Sequence, residues 1–189
     1  MSSGRFPLPS EGVKGGKDSK TATATCFCGA VQCLFVRQTP HHQKLIPNQT
    51  NPPTHQPTTS PGLVDTFVCN CSDCRKITAS MFASNFIVQE AETVHVRGRD
   101  KLTKFSQSKT IESGNTMENH FCSVCGTLMY RVSSGFPGSL IPRIGTIDDF
   151  DLQETVFAPK HEIYAENRVC WLKGVEGAEA HKGMGPYAG

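Results

Sequence analysis

Seven of the nine cysteines of the chain lie in three short clusters, and the other two, Cys33 and Cys170, stand alone. This density and spacing indicates metal binding or redox chemistry, because cysteines two or three positions apart are too close for ordinary disulfides. A short spacer instead lets one tight turn aim two thiolates at one ion, and zinc is a common partner of such pairs. The clusters are Cys26 and Cys28, then Cys69, Cys71 and Cys74, and finally Cys122 and Cys125.

Two of the clusters contain two cysteines, and each of these two clusters could supply half of the ligands of a tetrahedral zinc site. In both, a glycine follows the last cysteine, Gly29 in TCFCGAV and Gly126 in FCSVCGT. Glycine suits a tight turn whose backbone amides point at the sulfurs. The matched halves predict one closed structural site that ties the start of a sheet to a late hairpin. The predicted ligands are Cys26, Cys28, Cys122 and Cys125.

The remaining cluster, Cys69, Cys71 and Cys74, then has three thiolates and no obvious fourth ligand. Catalytic zinc sites keep three protein ligands and leave the fourth position to water or substrate. We therefore expect a substrate-accepting zinc ion here, which would bind a substrate thiol as thiolate or hold a water that polarises a carbonyl group. These three cysteines are the catalytic candidates of the chain.

Three other arrangements stay open at the level of the sequence. The triple cluster could borrow Cys33 or a histidine and close into a second structural site. The clusters could also exchange members, for example if Cys69 and Cys71 joined Cys122 and Cys125. Unmetallated redox thiols are disfavoured, because clustered thiolates repel one another without a cation. The histidines that could close the site are His41, His55 and His120.

Several residues near the triple cluster could assist it. Arg75 and Lys76 follow Cys74 and would either offset excess negative charge or remain solvated surface cations. Asp73 would act as a base or, as is more common for aspartate in a turn, as a cap. Further candidates are Asn85 and Ser80 as pocket residues, and His120 as an acid, a base or a structural residue.

The segments that position these cysteines have the signature of antiparallel β-sheet. Short runs rich in Val, Ile, Phe, Thr and Tyr are broken by Gly, Asn, Asp and Pro. Helix is scarce, with short turns expected at residues 72–80 and 148–152. We expect Trp171 to pack in the core, and Cys33 and Cys170 to be buried. The strand predictions cover residues 30–36, 81–89, 92–98, 101–106, 119–133, 139–147 and 160–166.

Length and composition indicate one domain. A chain of 189 residues, 37% of them hydrophobic, buries one core rather than two. Two stretches lack hydrophobic periodicity and are rich in Pro, Gly or polar residues, so we expect a disordered leader and a long insertion. The expected organisation is a leader at 1–20, a single zinc-binding β domain at 21–180 with the insertion at about 38–62, and a tail at 181–189.

Charge and hydropathy argue against two classes of partner. The formal net charge of +2 comes without a basic block that would neutralise many phosphates, so no nucleic acid is expected. No window approaches the ~18 consecutive apolar residues of a membrane span, and the N-terminus lacks the apolar core of a signal peptide. We therefore expect a cytoplasmic protein with a small-molecule substrate and no membrane partner. The sequence does not define its oligomeric state.

The cysteine clusters and their surroundings resemble those of the glutathione-dependent formaldehyde-activating enzyme and centromere protein V family. The likeness covers roughly residues 24–175, interrupted by the insertion, and combines three cysteine motifs in the same order. The matching stretches are CFCGAV, CNCSDCRKITAS, KTIESGN, HFCSVCGTLMYR, SSGFPG, GTIDD, HEIY and NRVCWL.

The resemblance implies a mainly β fold of the Mss4-like or β-tent type, with antiparallel sheets stapled by two zinc ions and few short helices. In that family the outer motifs hold a structural zinc and the middle motif holds a catalytic one, which agrees with the two groups of ligands above. The founding activity is of the carbon–sulfur lyase class, the condensation of glutathione with formaldehyde to S-hydroxymethylglutathione. The insertion before the middle motif leaves the substrate open, because one fold hosts many reactions.

Three functions therefore agree with the sequence. The first is a zinc-dependent lyase that acts on a thiol adduct or an electrophilic carbonyl compound, with glutathione as the implied thiol. The second is a specialised biosynthetic or detoxification enzyme of the same fold with another substrate. The third is a non-catalytic, zinc-stapled module that binds a protein.

Overall fold

The computed structural model describes residues 20–36 and 62–187. The expected leader and insertion lie almost entirely outside the described residues, as do His41 and His55. In the part of the chain that is described, no helix has the length and apolar character needed to cross a membrane. The organisation into one domain stays a prediction.

The described residues form a mainly β structure, as the sequence predicts. β-Branched and aromatic side chains fill short strands, because they pack well on a pleated, half-buried surface. In chain order the strands are β1 (Thr21–Thr25), β2 (Gln32–Val36), β3 (Leu63–Cys69), β4 (Ala83–Gln89), β5 (Thr93–Arg97), β6 (Leu102–Gln107), β7 (Met117–Cys122), β8 (Leu128–Ser133), β9 (Ser139–Pro142), β10 (His161–Ile163) and β11 (Glu179–Ala180).

The strands make two sheets. β1, β2 and β5 form a three-stranded antiparallel sheet. The larger sheet has eight strands in the order β11–β10–β3–β4–β9–β8–β7–β6. Its pairings are antiparallel except at one edge, where β10 runs parallel to both β3 and β11. This edge departs from the expected antiparallel pattern, and it brings late residues of the chain beside the strand that ends at Cys69.

Two stretches of the described chain are α-helical, and both lie where the sequence predicts a helical turn. α1 (Ser72–Thr78) begins at Cys71, whose sulfur accepts a hydrogen bond from the backbone N–H of Cys74. It ends at Ala79, which adopts the left-handed conformation with φ of 50°. The other helix is α2 (Phe150–Glu154).

The larger hydrophobic core joins the two sheets. It combines buried residues of β1 and β2 with buried residues of β4, β8 and β9. Phe86 packs against Phe35 with ring centroids 5.2 Å apart and against Phe157 with centroids 4.7 Å apart, both edge to face. Such aromatic pairs stabilise a core beyond the area that they bury.

β4 is buried on both faces and separates this core from a second apolar cluster. Phe86 and Val88 belong to the larger core, whereas Ile87 belongs to the second cluster. The alternation follows from the period of two in a strand. The buried members of the second cluster are Phe67, Cys69, Cys74, Ala83, Ile87, Ile141 and Ile163.

Two predictions about buried residues are wrong. Trp171, expected in the core, is 69% exposed, and Cys170 beside it is also exposed. Both lie in a turn rather than in a strand, so no sheet face covers them. Cys33 is fully buried in β2, as expected.

Candidate metal centres

The four cysteines of the two paired clusters converge at one point. Their sulfurs all lie within 4.8 Å of one another. The sulfurs of Cys26 and Cys28 are 3.6 Å apart, and those of Cys28 and Cys122 are 3.8 Å apart. Four sulfurs bound at ~2.3 Å to one tetrahedral ion are about 3.8 Å apart, so the set fits zinc. Burial raises the pKa of Cys26 to about 12, an effect that a bound cation would reverse.

Two matching turns aim these sulfurs. Gly29 and Gly126 both have φ of 76°, a left-handed conformation that other residues rarely adopt. Gly29 donates its backbone N–H to the Cys26 carbonyl at 2.9 Å, and Gly126 donates to the Cys122 carbonyl at 2.8 Å. Both glycines therefore make the tight turns that the sequence predicts.

The sulfurs of Cys69, Cys71 and Cys74 form a second cluster, again within 4.8 Å of one another. Cys69 is the last residue of β3, Cys71 caps α1, and Cys74 lies in the first turn of α1. A single strand-to-helix turn thus brings three potential ligands to one point. Among the described residues, no fourth Cys, His, Asp or Glu belongs to this cluster.

Asn70 fixes this turn to the parallel edge of the large sheet. Its backbone N–H donates to the Ile163 carbonyl at 3.1 Å, and its side-chain amide donates to the Glu162 carboxylate at 3.0 Å. The buried Glu162 also accepts from Arg168 at 2.7 Å. Burial opposes the ionisation of Glu162, but the bonds from Arg168 and Asn70 prevail and lower its pKa. The turn that carries the cluster is therefore held by the buried Glu162 carboxylate, which is paired with Arg168.

Two buried arginines face the three cysteines. Arg131 on β8 donates from Nη1 to the sulfur of Cys74 at 3.7 Å. Arg143 donates from Nη1 to Asn85, whereas its buried Nε and Nη2 have no hydrogen-bond partner among the described residues. Burial lowers the pKa of Arg143 to about 10, although the neighbouring cysteines favour its charged form. Both cations would offset negative charge on the three sulfurs.

The three thiols of this cluster differ in their tendency to ionise. Hydrogen bonds from Cys69 and Cys71, together with the charges of Arg131 and Arg143, lower the pKa of Cys74 well below the ordinary thiol value. Hydrogen bonds to the other two cysteines, together with burial, raise the pKa of Cys69. The tendency to ionise is therefore greatest at Cys74, the sulfur that Arg131 contacts.

The triple cluster lies in the wall of a cavity of about 220 Å³. This volume is below the roughly 300 to 1,000 Å³ of pockets for drug-sized ligands, so it suits a small molecule or one end of a larger one. The polar lining includes Asp73, Asn85, Thr110, Glu112 and the two arginines. The apolar lining includes Phe67, Ile87, Phe136, Ile141, Ile163 and Met184.

The residues predicted to assist the cluster have mixed outcomes. Asn85 and Asp73 line the cavity, whereas Ser80 is not in its lining. Asp73 accepts a hydrogen bond from Thr110, and the cap role expected of Asp73 belongs to Cys71.

Arg75 and Lys76, for which the sequence leaves both a counter-charge role and a surface position open, are also absent from the cavity lining. Arg75 donates to the Asn167 carbonyl at 3.4 Å and contacts the Met81 sulfur at 3.7 Å. The cations that line the cavity beside the cysteines are Arg131 and Arg143.

Two of the possible fourth ligands, His120 and Cys33, are described by the structure, and both lie away from the triple cluster. The ring of His120 stacks on Tyr130 with centroids 4.5 Å apart, and its Nε2 lies 2.8 Å from the Glu118 carboxylate. Cys33 is buried in the larger core. Neither residue belongs to a cysteine cluster, and the two clusters do not exchange members within the described residues.

Sequence reasoning missed the two arginines, although a signal for them exists. Arg131 interrupts the apolar run LMYRVS, and Arg143 interrupts SLIPRIG. A charged residue inside such a run is buried only when it is paired, which predicts an oppositely charged neighbour. The identity of that neighbour depends on which strands lie side by side, and this information is not local.

Three comparisons relate the chain to known proteins. A family model described as glutathione-dependent formaldehyde-activating enzyme matches residues 54–167, which is more than half of the chain. A crystal structure of a Rhodobacter sphaeroides protein, a structural genomics target, is similar over 66% of this chain and 85% of that protein, with 18% sequence identity and a TM-score of 0.41. The comparison with curated proteins gave no significant match.

The family match includes most of the residues of the two candidate metal centres. It spans the triple cluster and the last cysteine pair, whereas Cys26 and Cys28 precede it. Arg131 and Arg143 also lie within the matched residues. The chain belongs to the family of glutathione-dependent formaldehyde-activating enzymes.

Proposed function

We propose that this protein is a zinc-dependent enzyme of the carbon–sulfur lyase type, which joins a thiol to a small carbonyl compound or cleaves the adduct. The observation that carries the proposal is the three-sulfur cluster in the wall of a mainly apolar cavity, facing two buried arginines. The family description supports the same chemistry, with glutathione as the thiol and formaldehyde as the carbonyl compound.

The proposal includes two zinc ions, one in each cysteine cluster. Thiolates favour soft and borderline ions such as zinc over calcium or magnesium. The four-sulfur set has the composition of a structural site, and the three-sulfur set has the ligand number of a catalytic one. When bound at Cys69, Cys71 and Cys74, zinc would hold a thiol as thiolate or polarise a carbonyl oxygen.

In this proposal Arg131 and Arg143 both supply positive charge, and Arg143 has a second role. Their charges lower the free energy needed to gather three thiolates in a buried turn. The Nε and Nη2 groups of Arg143 also form a donor pair for an anionic group of the substrate, or for an oxygen that becomes negative as the carbon–sulfur bond forms. A buried guanidinium is well suited to both roles, because charge interactions are stronger where water is scarce.

The proposed reaction needs no oxidant or reductant. The thiol loses its proton, and the sulfur forms a bond to the carbonyl carbon. The carbonyl π electrons move to oxygen, which takes up a proton to give the S-hydroxymethyl product. Cleavage of the adduct follows the same steps in reverse.

A second candidate is an enzyme of the same fold that acts on another thiol or carbonyl compound. The apolar side chains of the lining, including Phe67 and Phe136, favour a substrate with an apolar portion. The acidic Asp73 and Glu112 also lie in the lining, an unfavourable environment for the two carboxylates of glutathione. This candidate keeps the metal chemistry and changes only the molecule that enters the cavity.

Exchange NMR spectroscopy tests both candidates. Glutathione and formaldehyde form their adduct spontaneously, so the measured quantity is the exchange rate with and without zinc-loaded protein. We expect a rate that rises in proportion to protein concentration and returns to the spontaneous value with a folded Cys71→Ser variant. Acceleration only with other thiols or with apolar aldehydes supports the second candidate. No acceleration with any thiol and aldehyde pair overturns the enzyme proposal.

We also propose the cytoplasm as the compartment of this activity. Reducing conditions keep thiols free of disulfides, and all nine cysteines of the described chain are unpaired. The partners would be small molecules rather than nucleic acid or membrane.

A further inference from the structure

A third group of potential metal ligands lies at the parallel edge of the large sheet, outside both cysteine clusters. His161 is the first residue of β10, Glu179 is the first residue of β11, and His181 directly follows β11. One ligand atom from each lies within 4.8 Å of the other two. The strand register explains their meeting, because His161 pairs with Glu179 across the parallel strands.

The distances between these ligand atoms suit one bound ion. Nδ1 of His161 lies 3.1 Å from Nε2 of His181. A carboxylate oxygen of Glu179 lies 3.8 Å from the first nitrogen and 3.9 Å from the second. Ligand atoms at ~2.1 Å from a tetrahedral ion are about 3.4 Å apart, so shifts of about half an ångström complete the geometry.

The Asp65 carboxylate lies near the other ring nitrogen of the first histidine. Nε2 of His161 lies 3.5 Å from the Asp65 carboxylate, which also accepts a hydrogen bond from the Tyr187 hydroxyl at 2.8 Å. A metal-binding histidine commonly donates its other ring N–H to a carboxylate, which fixes the tautomer and leaves a lone pair for the ion. With the proton on Nε2, the lone pair of Nδ1 points toward His181 and Glu179.

We propose that His161, Glu179 and His181 bind a divalent transition metal ion, with zinc as the representative case. Two imidazoles and one carboxylate are a ligand set that zinc and neighbouring metals favour. The two histidine side chains are 19% and 18% exposed and the Glu179 side chain is 71% exposed, so the ion has direct access from solvent. This site is separate from the three sulfurs of the cavity and needs none of the cysteines.

Metal binding here stabilises one wall of the substrate cavity. Met184 and Tyr187, which follow the site in the chain, line the cavity beside the triple cluster. The segment that carries them is joined to the sheet through β11, a strand of two residues, and through several hydrogen bonds. The His181 N–H donates to the Glu162 carbonyl at 2.8 Å, the Gly183 carbonyl accepts from the Tyr164 N–H at 3.0 Å, and the Tyr187 hydroxyl donates to Asp65 at 2.8 Å. An ion shared by His161 and His181 adds a further link between this segment and β10.

The number of bound ions tests the proposal directly. Untagged protein is dialysed to equilibrium against buffered micromolar zinc, and the zinc bound per chain is measured. The double variant His161→Gln and His181→Gln is compared with wild type and with His120→Gln, which changes a histidine outside the group. We expect one ion fewer in the double variant and no change in the control, whatever number the cysteines hold. An equal count in a folded double variant overturns the proposal.

Ring-nitrogen NMR spectroscopy gives a second readout that needs no variant. With isotope-labelled histidines, zinc addition is expected to shift Nδ1 of His161 and Nε2 of His181, the two atoms that face each other. The other nitrogen of each ring keeps its proton, and the His120 signals stay unchanged. Zinc addition that leaves Nδ1 of His161 and Nε2 of His181 unshifted contradicts the site, even if the double variant fails to fold.

Discussion

The guanidinium of Arg131 donates to the sulfur of Cys74 across 3.7 Å, although 57 positions separate the two residues in the chain. β7 ends at Cys122, a member of the four-sulfur cluster, and β8 carries Arg131. One hairpin thus contributes both to the four-sulfur cluster and to the charge balance of the three-sulfur cluster. The two candidate metal centres are therefore connected structurally by the β7–β8 hairpin.

Replacement of Arg131 by methionine should weaken metal binding at the triple cluster. Hydrogen bonds from Cys69 and Cys71, together with the Arg131 charge, lower the pKa of Cys74. Loss of the Arg131 charge therefore raises this pKa, and protons then compete with the metal ion for the sulfur at higher pH. We expect the midpoint of zinc release to a chelator to move up by about one pH unit. Lys104→Met, which removes an exposed cation, should leave the midpoint unchanged. Equal midpoints in all three proteins would refute the proposed role of Arg131.

The two cysteine clusters should respond differently to loss of one ligand. Cys122→Ser removes a buried ligand from the cluster that ties β1 to β7, so we expect it to lower the free energy of unfolding by several kcal/mol. Cys71→Ser should keep most of the thermal stability and lose the exchange activity. Circular dichroism melts and the exchange assay measure the two effects separately. Similar unfolding of both variants would mean that the triple cluster is structural.

Cys33 and Cys170 should differ strongly in their reaction with iodoacetamide. Burial raises the pKa of Cys33 to about 12, so almost no thiolate is present at mildly alkaline pH, and the thiol is shielded from the reagent. Cys170 is exposed. Peptide mass mapping of the zinc-loaded protein should therefore find Cys170 alkylated early and Cys33 only after unfolding. Equal labelling rates would place Cys33 at the surface.

Glu162→Gln should destabilise the fold in a pH-dependent way. The variant loses the charged partner of Arg168 and of the Asn70 amide, and we expect a loss of roughly 1 to 3 kcal/mol at neutral pH. The folded pKa of Glu162 lies below its ordinary value of 4.5. The stabilisation by the carboxylate is therefore complete above that value and is lost as the pH falls through the folded pKa.

Urea unfolding at several pH values measures this effect. The difference in the free energy of unfolding between wild type and Glu162→Gln should narrow below pH 4.5. Glu154→Gln, at an exposed position, serves as the control and should change stability by less than about 0.5 kcal/mol. A gap that stays constant down to low pH would show that the Glu162 charge contributes nothing.

The cysteine clusters could be predicted from the sequence because their geometry is local. Short spacers and the glycines at positions 29 and 126 determine the turns, and the Cys71 cap starts α1 at the expected place. The mainly β character could also be predicted, since strand runs and turn residues are local signals. β1 and β3 received no strand prediction. The small, alternating residues of TATAT lack the apolar run that a strand prediction needs, and LVDTFVC is interrupted by Asp65.

The charge balance and the parallel edge could not be predicted in the same way. Arg131, Arg143 and Glu162 reach the triple cluster only through the pairing of distant strands. Trp171, expected in the core, is exposed. An aromatic residue in an apolar stretch is buried only if another element of the fold covers it. These features depend on contacts between segments that are far apart in the chain.

The central claim is that the metal at Cys69, Cys71 and Cys74 accepts the thiol of the substrate. Cobalt(II) in place of zinc reports each bound thiolate through sulfur-to-metal charge-transfer absorption. Glutathione should increase this absorption to saturation in wild type, whereas S-methylglutathione, which has no free thiol, and the Cys71→Ser variant should show no increase. A spectrum that stays unchanged with glutathione and with every other thiol, while cobalt remains bound at both cysteine clusters, would contradict the claim.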